Sequence, residues 1–553
     1  MTTPMLTRTV KARSRFISAP SWAFASMILL ALAAIAFGSH VLHGGLYRDD
    51  WRFWLEYATA KPGLGGAVHA FHWTWFRPLQ MLWWPAIEAA LGPHPAAQIA
   101  FTVALAVAAS VLLFQLLTLV GLGRIAAAVV AALVLLFPAS DATRLWPAAN
   151  VASAALALYL LGAMLSLRAF ERRDGRALLD HVGGVLLYLT SLALYEVAVP
   201  AMLASILLYR LRISWRRAAA RWIVDLAALV PFIVLVTSHS SRLYPRSHLS
   251  AVPSHAKLFA GEALTLLSRA IVPFGSPKHL TGVIIVAGVA ALGAVRMLTL
   301  RDREQRAELG RWLLALGAGA LLIAAGYAPY LLSDVFEPLA GGLSNRINVL
   351  PSIGFALVVW SLIMIAVKSV VPGEKLALGA ALSGAAAVAV AVGYTIEVRD
   401  DVHVWDQAAT LQRQTVNEVV RLLDGEQPGG GLPGALRRGS IFVFDQYAFT
   451  APGVPVFNES DDLDAALKAR LGNYGQHAYP ALRGAFYYCQ KWGLWMDTSE
   501  VTLDDDYGSV DVAHFGHTVF IDVRRRRLAR ISSEQGCNAA LTSYLPDPLL
   551  PGT

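Results

Sequence analysis

Apolar runs recur through the first 396 residues, at roughly 22–42, 95–120, 123–139, 149–168, 179–195, 197–210, 220–237, 279–299, 311–332, 346–367 and 375–395. Crossing the hydrocarbon core takes about 20 such residues, so each run is a candidate span. The two runs that flank Glu196 are short for separate crossings. Two more apolar stretches, 78–92 and 258–275, do not fit the alternation set by the loops. They are expected as interfacial or re-entrant helices, tolerated only against protein or a cavity. Beyond 396 the pattern changes. Val402, Trp405, Val416, Val419 and Leu423 repeat as one face of an amphipathic helix, and the linker Gln427-Pro-Gly-Gly-Gly-Leu-Pro-Gly434 follows. Ser440-Ile-Phe-Val-Phe-Asp445 and Thr518-Val-Phe-Ile-Asp-Val523 then alternate as strands. The pattern predicts an all-α polytopic membrane domain of about 11 transmembrane helices over 1–396 and a soluble α+β domain over 397–553.

Composition sharpens this picture. Of 553 residues, 56% are hydrophobic and 15% charged, with a mean hydropathy of +0.51. Soluble domains carry about 25% charged residues, so a soluble enzyme, a disordered chain and a small disulfide scaffold are excluded. The net charge of +8 is a sum of two unlike parts. Residues 1–396 hold 32 basic against 17 acidic side chains, and the remainder holds 14 against 21. No nucleic-acid partner is implied. Basic loops lie before the first span (Arg8, Lys11, Arg13, Arg15), at Arg124, and at 168–176, 210–221, 296–311 and 368–375. Lys and Arg collect in cytoplasmic loops. The N-terminus is therefore expected inside, the first run as an uncleaved anchor, and the tail outside by parity.

The candidate chemistry falls on the opposite, outer face. Tyr47-Arg48-Asp49-Asp50-Trp51 follows the first span. Adjacent carboxylates repel, so Asp49 or Asp50 can keep a raised pKa and act as a base; the plainer reading is a solvated helix cap. Phe76-Arg77-Pro78-Leu79 opens an apolar helix, and Asp141, Arg144 and Trp146 occupy a later loop. Tyr195-Glu196 places an ionisable group inside an apolar stretch, which is costly unless it pairs with an arginine or serves a function. Ser344-Asn345-Arg346 heads a span. An acid flanked by arginines at headgroup level suits a lipid-linked phosphate, which arginine binds bidentately. Cys489 and Cys537 are the only cysteines and both lie in the tail, which suggests one disulfide in an exported domain, the other reading being two buried thiols. No metal-site spacing is present, no cofactor is called for, and the sequence leaves a divalent metal open. Asp504-Asp505-Asp506 and Arg524–Arg527 read as solvated faces.

Four local patterns occur in one order. They are Asp49-Asp50-Trp51 with Phe76-Arg77-Pro78-Leu79 and a helix ending at Leu91-Gly92; Phe137-Pro138 through Trp146; Leu192-Ala-Leu-Tyr195-Glu196 with Pro200; and Arg346-Ile-Asn-Val-Leu350-Pro-Ser-Ile-Gly-Phe355. Together they resemble the GT-C fold integral membrane glycosyltransferases, in particular the branch of transmembrane O-mannosyltransferases with tetratricopeptide repeats and its bacterial relatives. The chain departs from that branch at Phe137, where the branch has histidine, and at Tyr195, where it has lysine. Its acid in the second pattern is shifted to Asp141, and a different outer domain replaces the repeats.

The resemblance implies inverting transfer from a polyprenyl-phosphate sugar to a hydroxyl on a glycan, lipid or protein acceptor, outside a bacterial inner membrane. It implies Asp49 or Asp50 as base, and Arg77, Arg144 and Arg346 as donor-phosphate ligands. Glu196 would orient an arginine or the acceptor, with Asp141, Tyr195 and Asn345 as further site candidates. A transporter or flippase of lipid-linked glycans, or an inactive membrane scaffold, would use the same charges differently.

Overall fold

The computed structural model describes residues 19–544 except 173, 241–248, 276, 333–337, 426–438, 445, 447, 473–474, 482–485, 491–492 and 498–512. The first basic cluster, the Gly/Pro linker and Asp504–Asp506 lie outside the described residues. All eleven expected runs are helical, and nine helices among the described residues are long and apolar enough to cross a membrane. The two that fall short have plain causes. Arg124–Leu136 is 13 residues, about 20 Å at 1.5 Å per residue, and lies buried among its neighbours. The run after Glu196 is broken into a 3-10 turn and the short helices Val199–Leu203 and Ser205–Arg210. Tyr195 is extended (φ −164°, ψ 137°), and Pro200 starts the next helix in its first turn.

The stretch 78–92 forms Gln80–Leu91, and 258–275 is helical up to the end of Val252–Ile271. The most enclosed helix is Val349–Val370, packed against Arg303–Tyr327. Their backbones meet where Gly319 faces Gly354; a Cβ on Gly354 would stand 2.6 Å from the Gly319 carbonyl. Small residues allow such close approach where apolar lipid supplies no driving force between helices. Phe24, Ile35, Leu186, Ile284 and Leu298 face outward instead, as lipid-facing side chains do.

The last span does not stop at 395. Leu376–Gly425 is one helix of 50 residues, about 75 Å long, more than twice the hydrocarbon thickness. The change from apolar to amphipathic pattern at 396 is therefore a change of surroundings within an unbroken helix. Its upper part carries Val402, Trp405, Val419 and Leu423, all buried.

The tail builds a four-stranded sheet in the order His477–Pro480, Ser440–Phe444, Thr518–Asp522, Arg527–Ile531. The first three strands are parallel and the last antiparallel. Helix Ser460–Leu471 joins two of the parallel strands and packs on helix Asp49–Thr59, which follows the first span. Cys489 and Cys537 are disulfide-bonded with Cα atoms 6.0 Å apart, tying Phe486–Gln490 to the last helix, Glu534–Tyr544.

The loop after the first span is locked to the long helix by Tyr47, which is fully buried. Its hydroxyl donates to the Trp405 carbonyl (2.9 Å) and accepts from the Gly45 amide (3.0 Å). Its ring meets Trp405 edge-on at 4.7 Å. Beside it His40 donates Nε2–H to the Leu145 carbonyl (2.8 Å), with Nδ1 2.6 Å from the Asp406 carboxylate. Tyr47→Phe keeps the packing but leaves two buried backbone groups without this partner, at a cost of about 1–3 kcal/mol. Thermal unfolding in detergent is expected to show a lower Tm for Tyr47→Phe, and an unchanged Tm would remove the tyrosine from this role.

Candidate active site

Asp49 and Asp50 are the first two residues of helix Asp49–Thr59. The residue before them, Arg48, has φ +45°, a left-handed backbone that a non-glycine residue adopts only when its surroundings hold it. Here the holding group is Glu459 of the tail, ion-paired with Arg48. The two acids have different fates. Asp50 is buried and accepts from the Tyr47 amide (2.7 Å) and from the Ala148 amide. Burial pushes its carboxyl well above the usual range, the backbone bonds oppose this, and the Asp49 charge adds to it. Asp49 is half-buried at the loop surface.

The loop after Leu136 comes back under this pair. Trp146 donates its indole N–H to the Tyr47 carbonyl (3.1 Å), and the Arg346 guanidinium stacks over the Trp146 ring at 5.1 Å. Arg346 also donates to the Leu343 carbonyl (3.1 Å) and stays half-buried. Arg77 forms a two-pronged pair with Glu196, its Nε donating at 2.8 Å and Nη2 making the second contact. The same guanidinium stacks on Tyr195 (4.6 Å) and Phe76 (4.9 Å). Tyr330, buried, is within electrostatic range of Tyr195, Glu196, Arg77 and Arg346. Arg77, Tyr195, Glu196 and Arg346 thus meet around Tyr330, and Trp146 connects them to the loop of Asp49 and Asp50.

The other three candidates are placed differently. Arg144 is 3% exposed, and its guanidinium donates to the carbonyls of Val134 and Ser140 (2.5 Å each) and to the Ser140 hydroxyl (3.0 Å). It caps the C-terminal end of helix Arg124–Leu136, where a cation offsets exposed carbonyls. Burial lowers its pKa to about 10, with Asp141 opposing, so it stays charged. The Arg144 contacts in this structure are thus to the protein's own carbonyls and to Ser140, and its Nε has no partner among the described residues. Asn345, fully buried, accepts from the Ala142 amide (2.9 Å) and donates to Asp141 (2.7 Å). Asp141 is buried too; burial first, then the nearby Asp401 carboxylate, raises its pKa, while Asn345 and Arg144 oppose this. Asn345 and Asp141 hold two loops together rather than facing solvent.

Sequence reading missed two features. One is the contribution of the tail. Besides Glu459, its turn at Gly453 receives the Leu343 amide (2.8 Å) beside the loop that presents Arg346. Gly342 there has φ +70°, and a Cβ on it would stand 2.6 Å from the Gly453 backbone. No local pattern announces a contact between positions so far apart. The other is Glu88, 3% exposed, accepting from Gln98 (3.2 Å) and close enough to raise the pKa of Asp50. Its apolar helix could have flagged it. Among the described residues no three His, Cys, Asp or Glu side chains gather as a metal site.

No protein-family model and no curated protein matches the sequence. Among solved structures, the chain is similar to ArnT from Cupriavidus metallidurans bound to undecaprenyl phosphate. The identity is 13% and the TM-score 0.40, over 84% of this chain and 87% of that one. Against ArnT in the apo state the values are 14% and 0.32, over 84% and 86%. A likeness at this level carries no functional argument. The side chains described above define a polytopic helical membrane protein with a charged, aromatic-lined site beside the strand-containing C-terminal region.

Two outcomes follow. Gly342→Ala forces a Cβ into both an unfavourable φ and the Gly453 backbone, so it should displace the Arg346 loop. Limited proteolysis is expected to cut the variant faster at 338–345 than the wild type, and equal rates would mean that the contact is dispensable. Burial raises the Glu88 carboxyl to about 8 while the unfolded chain ionises near 4.5. Between these values the folded state holds the extra proton, so stability falls as pH rises through that window. Glu88→Gln should therefore melt higher than wild type at pH 9 and the same at pH 4; parallel Tm–pH curves would exclude Glu88 as the source.

Proposed function

We propose that this chain is a membrane glycosyltransferase that moves a sugar from a polyprenyl-phosphate donor to a hydroxyl acceptor on the extracytoplasmic face. The observation that carries the reading is the site itself. A half-buried carboxylate and two arginines are gathered at one end of the bundle, on the side where the tail lies. The order of motifs resembling GT-C enzymes agrees with it. In this reading the N-terminus is cytoplasmic and the acceptor is a glycan, lipid or protein.

The two acids divide the work. Asp49, at the surface, takes the proton of the acceptor hydroxyl as its oxygen attacks the anomeric carbon. The bond to the polyprenyl phosphate breaks on the opposite side, which inverts the configuration. Asp50 holds the loop through two backbone amides and is a positioning residue. The leaving phosphate is already an anion, so it needs electrostatic support more than an acid. Arg346, half-exposed on Trp146, supplies that support. Arg77 is partly neutralised by Glu196, which fixes its fork for one side of the phosphate rather than lending a full free charge. Arg144, Asp141 and Asn345 shape the loops behind them, and Tyr195 supplies the face on which Arg77 lies.

Transfer from a polyprenyl-phosphate sugar in detergent tests the assignment. Asp49→Asn should lower turnover by about 10²–10⁴-fold with little change in donor binding. Arg346→Ala should weaken donor binding as well, and Arg346→Lys should recover part of it, since an ammonium lacks the fork. Asp50→Asn should lower the folded yield more than the rate of the folded fraction. Wild-type turnover in both aspartate variants and in the double variant would remove the base, and transport of a lipid-linked glycan would then be the leading function.

A further inference from the structure

At the end of the bundle opposite this site lies a cavity of about 940 Å³. It is formed where helices Arg124–Leu136, Arg303–Tyr327, Val349–Val370 and Leu376–Gly425 come together near their turns. Its walls are apolar, with Trp312, Trp360 and Met364 among them. Its rim is basic: Arg124, Arg311, Lys368 and Lys375 line it against a single acid, Glu308. Lys368 pairs with Glu308 at 3.1 Å. Arg124, Arg311 and Lys375 have no carboxylate partner among the described residues. Small residues of the long helix, Gly379, Ala380, Ser383 and Gly384, leave the space open. A Cβ on Gly384 would meet nothing within 4 Å. Trp360, 3% exposed, also lines the cavity, and its indole N–H has no acceptor among the described residues.

We propose that this cavity is a binding site for an anionic phospholipid of the leaflet at that end of the bundle. Three unpaired cations at the rim match a phosphodiester headgroup, the apolar walls match an acyl chain, and the buried indole N–H would meet an ester carbonyl. The volume lies in the range of ligand pockets, about 300–1,000 Å³. Basic pockets between helices at a membrane surface select anionic headgroups, each cation contributing about 1 kcal/mol. The donor-phosphate groups of the proposed reaction lie at the other end of the bundle, so the site is separate from them and does not depend on that assignment.

Native mass spectrometry of the full chain, delipidated in detergent and then offered phosphatidylglycerol or phosphatidylcholine, tests the site. Phosphatidylglycerol should be retained at least ten-fold better. Arg311→Gln with Lys375→Gln should lower that retention about 25-fold, five-fold for each charge of about 1 kcal/mol. The double variant Arg311→Lys with Lys375→Arg should keep it. Gly384→Leu changes no charge, improves helix propensity and fills the cavity, so it should lose the lipid while staying folded. It decides the matter if the glutamine variant does not fold. Equal retention of the two lipids, or wild-type retention in Gly384→Leu, overturns the proposal. Preferential retention of undecaprenyl phosphate over phosphatidylglycerol, lost in Gly384→Leu, would make the occupant a polyprenyl lipid and overturn it also.

Discussion

Tyr47 uses every polar atom it has, and the site depends on this. Its amide donates to Asp50, its carbonyl accepts from Trp146, and its hydroxyl bridges Gly45 to the carbonyl of Trp405. A loop leaving a spanning helix carries backbone groups that water cannot reach once protein covers them, and unpaired groups there are costly. One tyrosine meets that demand for three separate stretches of chain. The loop after the first span, the Trp146 loop and the long helix are therefore held in one arrangement. Asp49 and Arg346 take their positions from it, since Trp146 is also the ring beneath Arg346.

Charged groups at this end of the bundle fall into two sorts. Arg144 and Asp141 have been consumed by folding: one caps a helix with its guanidinium, the other is a buried acid clipped to Asn345. Asp49 and Arg346 keep partial access to solvent. Arg77 and Glu196 stand between these sorts. Their two-pronged pair answers the cost of an ionisable group beside apolar helices, and it also fixes the direction of the guanidinium.

Among the contacts of the tail with this arrangement, two fall beside the site. Glu459 holds the strained Arg48 beside the acids, and Gly453 meets Gly342 beside Arg346. Both contacts lie beside the long helix, which runs unbroken from the last apolar run to Gly425. A flexible linker at 396 would leave the docking entropy to be overcome at each approach.

How much of this was legible in the sequence differs by feature. Spans, the basic loops and the water-soluble tail follow from composition along the chain, because transfer of apolar residues into lipid is a local property that each segment carries by itself. Asp49, Asp50, Arg77, Glu196 and Arg346 were also visible, as ionisable residues at the ends of apolar runs. Which carboxylate is buried, which arginine caps a helix, that the last span runs unbroken into the tail, and that Glu88, Glu459 and Gly453 belong to the neighbourhood were decided only in three dimensions. The reason is physical. Burial, hydrogen-bond partners and electrostatic neighbours are set by residues more than 400 positions apart, as Arg48 and Glu459 are, and no local pattern records them.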